Sequence, residues 1–124
     1  MSMSVEKLDK IIKRFWAKEG NNTIWHTGYC SEVAVALDTF LKGQGQIGKQ
    51  SWFHTIYIYK GAYCDIRGCM DEAKMDFHNP IGAQGKPTPA KPEELHHIYS
   101  LLNKERTKYV IRGLKQAQKE LSNA

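Results

Sequence analysis

The sequence predicts a single α+β domain, 1–124, with helices packed on a small antiparallel sheet. Three observations carry that reading. Apolar residues recur at helical spacing over 4–19 and again over 30–42. Two blocks rich in aromatic and β-branched residues, 52–59 and 62–67, flank Lys60-Gly61, the pattern of a β-hairpin closed by a two-residue turn. Helical spacing returns over 93–103 and 106–121.

Each element has its own justification. Leu8, Ile11, Ile12, Phe15 and Trp16 form one helical stripe, and Gly20-Asn21-Asn22 stops it. Residues 21–28 read as a loop leading to Cys30. The second helix carries Val33, Ala36, Leu37, Phe40 and Leu41 on one face, and Ala34 and Val35 widen that face. Gly43, Gly45 and Gly48 then make KGQGQIGKQ the expected mobile loop. Gly68 is expected to end the return strand. DEAKMDF fits a short helix, and HNPIGAQGKPTPAKP, which holds all four prolines, is expected to be irregular. The last helix runs through Tyr109, Val110, Leu114 and Leu121; its opening, TKYVIR, also fits a strand.

Composition narrows the class. The chain has 124 residues, enough for one buried core and too few for two. Its 41% hydrophobic and 25% charged content is that of a soluble globular protein. No apolar run approaches the ~20 residues that span a bilayer. The opening MSMSVEKLDK lacks the apolar centre of a signal peptide, so a cytoplasmic location and no membrane partner are expected. The net charge of +5 suits an acidic partner, but Lys and Arg are interleaved with Glu and Asp. Nucleic-acid binding is therefore a minor alternative. Three cysteines without a secretory signal argue against a disulfide framework.

The hairpin supplies a chemical constellation. Side chains alternate along a strand, so His54 shares a face with Ile56 and Ile58. With Lys60-Gly61 as the turn, Tyr59 opposes Ala62 and Ile58 opposes Tyr63. That register sets His54, Asp65 and Arg67 on one face, with His54 and Asp65 as diagonal neighbours. A carboxylate fixes an imidazole's tautomer, and an imidazolium stabilises a thiolate. A cysteine at a helix start gains further from the helix dipole. Cys30, His54 and Asp65 are thus the parts of an activated thiol nucleophile, its base and the group orienting the base. A buried structural cysteine and a satisfied core histidine are the plainer alternatives.

GYCSEVAVALDTFL followed by FHTIYIYKGAYCDIRG resembles the small papain-like fold, as in short phage or bacterial proteins. The same core occurs in NlpC-type peptidoglycan endopeptidases and transglutaminase-like enzymes. The resemblance covers about residues 22–70. It implies a cysteine hydrolase or acyltransferase without a cofactor, acting on an amide, ester or thioester bond of a peptide or acyl substrate. Cys30 would be the nucleophile, His54 the base and Asp65 the orienting group.

Papain-type enzymes carry a Gln ahead of the Cys as an oxyanion donor, whereas NNTIWHTGYC has none. Asn22 is the expected substitute, together with the Cys30 backbone N–H; Trp25, His26 and the absence of a hole are the alternatives. Arg67 is either a contact to an acidic substrate group or half of a salt bridge. The missing Gln also keeps open a phage- or prophage-type protein that binds a host protein without turnover. No metal is expected, because Cys64, Cys69 and His78 are loosely spaced for structural zinc and Cys64 faces away from His54.

Overall fold

The computed structural model describes residues 2–50, 54–71 and 87–123. The described residues form an α+β arrangement of five helices and an open five-stranded antiparallel sheet with strand order β4-β3-β2-β1-β5. The helices are α1 (Val5–Lys18), α2 (Ile24–Thr27), α3 (Cys30–Phe40), α4 (Pro92–Ser100) and α5 (Lys104–Ser122). The strands are β1 (Gln46–Gln50), β2 (His54–Tyr59), β3 (Ala62–Asp65), β4 (Gly68–Met70) and β5 (Thr88–Pro89). No helix among the described residues is long and apolar enough to cross a membrane.

Helix α1 starts where Ser4 Oγ accepts the Lys7 N–H at 3.1 Å. It buries Leu8, Ile11, Ile12 and Phe15, each burial stabilising by about 1.5–3 kcal/mol. Gly20 and Asn21 stop it by turning to positive φ. Helix α3 is buried over Val33–Leu37 and packs between α5 and β2. Its position over the sheet is pinned at two points. Ser31 Oγ and Thr55 Oγ1 are 3.0 Å apart, and the Tyr57 hydroxyl donates to Asp38 at 2.8 Å. The first of these contacts lies one residue from Cys30 on α3 and one residue from His54 on β2.

The β2–β3 hairpin has the expected register, with Tyr59 opposite Ala62 and Ile58 opposite Tyr63. Lys60 and Gly61 both take positive φ, 49° and 79°, as a type I′ turn requires. The same pairing parity leaves Tyr57, Tyr59, Cys64 and Ile66 in the main core with the helices. Ile56 and Tyr63 form a second cluster with Ile58 and Met70.

Several sequence expectations need correction. KGQGQIGKQ is not a mobile loop throughout: Gln46–Gln50 is β1, paired along its length with β2. Backbone hydrogen bonds make this strand, and Gly48 admits it between Ile58 and Thr88, where a Cβ would collide with both. The return strand ends at Asp65, before residues 66–67, and Gly68 is not its stop but the first residue of β4. Residues 21–28 contain the one-turn helix α2. Of the two readings of TKYVIR the helix holds and the strand alternative falls, because Thr107, Val110, Leu114 and Ala117 align on the buried face of α5. Within the proline-rich stretch, Thr88–Pro89 pairs with β1 and Pro92 opens α4. The expected short helix falls at 71–77, of which 72–77 lies outside the described residues, as do 78–86 and the first two residues of the expected strand at 52–59.

Candidate active site

Cys30 is the first residue of α3, where unpaired backbone N–H groups and the helix dipole favour negative charge. Tyr29, the residue before it, makes no side-chain cap to those N–H groups. The α3 start is braced from α5. Arg106 pairs with Glu32 at 3.1 Å and lies over the Tyr29 ring at 3.7 Å.

His54 is completely buried at the start of β2. Its Nε2 is 3.1 Å from Asp65 Oδ2, at the end of β3. Asp65 is itself held by Arg67: the backbone N–H of Arg67 donates to Oδ1 at 2.8 Å, and its Nη2 donates to Oδ2 at 2.7 Å. The β3–β4 turn thereby folds its own arginine back onto the carboxylate. The other ring nitrogen of His54, Nδ1, is buried without a partner at strict hydrogen-bond geometry. Cys30 and the His54 ring nonetheless lie close enough for each to shift the other's pKa.

Cys30 and His54 each favour the other's charged form. Burial pushes the Cys30 thiol up, but the His54 ring, a Thr55 backbone hydrogen bond and the Lys49 charge outweigh it and leave it below its ordinary value. Burial opposes protonation of His54, yet Asp65 and Cys30 raise its pKa to about 9. Burial likewise opposes ionisation of Asp65, but hydrogen bonds and charge from His54 and Arg67 hold it well below the usual carboxylate range.

Three of the six expected site residues, Cys30, His54 and Asp65, come together. Arg67 joins them as the salt-bridge partner of Asp65. Asn22 and Trp25 do not line the cleft beside Cys30. Asn22 Oδ1 accepts the Ile24 N–H at 3.0 Å and so shapes the start of α2. Trp25 is buried among Phe15, Tyr29 and Tyr109, with ring centroids 5.6, 5.3 and 6.1 Å away.

His26, expected only as an alternative oxyanion donor, packs its ring edge-on to His54 with centroids 4.7 Å apart. Its Nδ1 is 3.8 Å from Asp65 Oδ2. Burial, then the Arg67 charge, lowers its pKa to about 4, so it is neutral at pH 7. Nothing in the periodicity of NNTIWHTGYC marks this residue. Lys49 was hidden for another reason: it lies in β1, which the sequence presents as a loop.

His26, His54 and Asp65 offer ligand atoms within 4.8 Å of one another, the spacing of a metal site. The Asp65 oxygen they would share already carries the Arg67 guanidinium at 2.7 Å, which a divalent ion would have to displace. The donor set fits imidazole orientation better than metal binding.

A cleft of about 820 Å³ opens over Cys30. It is lined by Cys30, Ser31, Lys49 and Thr55, and by Glu93, His97 and Leu101 from the α4 side. Comparison with known proteins finds no matching family model, no matching curated protein and no matching solved structure.

Proposed function

We propose that this chain is a cysteine-dependent hydrolase or acyltransferase built on a papain-like frame. The observation that supports it best is the buried His54, bonded to Asp65 on one side and interacting on the other with Cys30, which lines an open cleft. In this reading the Cys30 thiolate attacks the carbonyl carbon of an amide, ester or thioester. The tetrahedral oxyanion is met by the uncapped N–H groups of the first turn of α3. His54, as imidazolium, gives its proton to the leaving group and then takes one from water or an amine that attacks the acyl-enzyme. Asp65 keeps the imidazole in one tautomer throughout, and Arg67 keeps Asp65 ionised.

The test is competitive alkylation. At slightly acidic pH, iodoacetamide should label Cys30 at least ~10-fold faster than Cys64 or Cys69. Equal rates at the three cysteines would sink the nucleophile reading.

One observation favours a second reading, a protein that binds a partner on this scaffold without turnover. Asn22, the expected side-chain oxyanion donor, is committed to the α2 start. A Cys30→Ala chain that keeps its full biological effect would select this reading.

A further inference from the structure

Cys64 and Cys69 are directly opposite each other in the β3–β4 ladder, and their sulfurs are 2.9 Å apart. Neither belongs to the Cys30 site. We propose that Cys64 and Cys69 form a reversible dithiol–disulfide site, oxidised by a small disulfide of the glutathione class, whose closure staples the turn that carries Asp65 and Arg67.

The hairpin is already arranged for closure. A disulfide is about 2.04 Å long, so the sulfurs need to move by roughly 1 Å. The turn between them is held from both sides. Asp65 accepts from the Arg67 backbone, and the Cys69 N–H donates to Asp9 Oδ1 at 2.8 Å. The ring closed by 64–69 is short, so its loop-entropy gain is near the low end for disulfides. Both redox states therefore remain accessible.

Exposure sets the order of events. Cys69 is partly exposed, whereas Cys64 is fully buried and donates its S–H to the Cys69 sulfur. The Cys69 thiolate attacks one sulfur of oxidised glutathione, forming a mixed disulfide and releasing the first glutathione thiolate. Cys64 then attacks the Cys69 sulfur and releases the second. The protein loses two electrons and two thiol protons; the oxidant gains both electrons, and the protons convert its two thiolates to thiols.

The experiment uses the full chain carrying Cys30→Ala, equilibrated with mixtures of reduced and oxidised glutathione, acid-quenched, then read by intact mass and peptide mapping. The expected product has lost two hydrogens, retains no glutathione, contains a 64–69 cross-linked peptide and returns to the dithiol in excess reduced glutathione. Should Cys30→Ala fail to fold, the native chain is treated the same way, with Cys30 followed on its own peptide. A chain that stays fully reduced in excess oxidised glutathione, or that stops as a stable glutathione adduct at Cys69, overturns the proposal. Neither result bears on Cys30 as a nucleophile.

Discussion

His54 Nε2 sits 3.1 Å from Asp65 Oδ2, and the two side chains are 0% and 3% exposed. This buried contact links two adjacent strands. It also ties the imidazole, through Asp65, to the Arg67 guanidinium 2.7 Å away. An electrostatic chain thus runs from the β3–β4 turn to the start of α3.

Asp65→Asn removes the charge while keeping the shape. The His54 pKa should fall from about 9, and Cys30 alkylation near neutral pH should slow by about 10-fold or more, since the imidazolium is what stabilises the thiolate. Arg67 loses its counter-ion but is partly exposed, so the stability loss should be on the order of 2 kcal/mol rather than that of a fully buried pair. Urea denaturation and pH-dependent labelling separate the two effects. Unchanged labelling would detach Asp65 from the thiol.

The His54 shift also predicts a pH dependence of stability. Its folded pKa lies above the unfolded 6.5, so its contribution is fully present below about 6.5 and is lost as pH rises through the folded value. Cys30 is shifted the opposite way and partly offsets this, so the measurement belongs in a Cys30→Ala background. There Asp65 alone remains to raise the His54 pKa against burial. The urea midpoint should decline as pH rises from about 6.5, and adding His54→Gln should remove that decline. A slope that persists in the double variant would assign the linkage to another group.

Trp25→Ala should destabilise the fold by about 3–5 kcal/mol, as expected for loss of a buried aromatic. Trp25→Phe should keep most of the stability and leave Cys30 labelling nearly unchanged. Selective loss of substrate affinity with normal stability would restore Trp25 as a substrate contact.

Gly68→Ala tests the turn that presents Asp65. Gly68 has φ 117°, and a Cβ there would collide with the side chains of Asp9 and Lys13. The cost should be about 1–3 kcal/mol, read as a lower thermal midpoint. Because Asp65 is the residue paired with Gly68, Cys30 alkylation should slow in the folded variant as well.

The part of the site carried by the β2–β3 hairpin could be read from local rules. Positive φ at Lys60 and Gly61 selects a two-residue turn, the turn sets the register, and alternation puts His54 and Asp65 on one face. Cys30 at the head of α3 is equally local, since apolar periodicity and the glycine before it mark where the helix begins. Strand β1 was not legible, because QIGKQ has no alternating apolar pattern; its pairing is made by backbone groups that any sequence carries.

The amino-acid sequence by itself determined the main helices, the hairpin and the shared face of His54 and Asp65, because each depends on spacing within a few residues. Only the tertiary structure decided the rest: that Cys30 meets the His54 ring, that Asn22 and Trp25 turn away from the cleft, that Arg67 closes on Asp65, and that His26 packs against His54. These outcomes depend on how α2 and α3 seat against the sheet. That seating is fixed by packing and by contacts such as Ser31 to Thr55, between residues far apart in the chain.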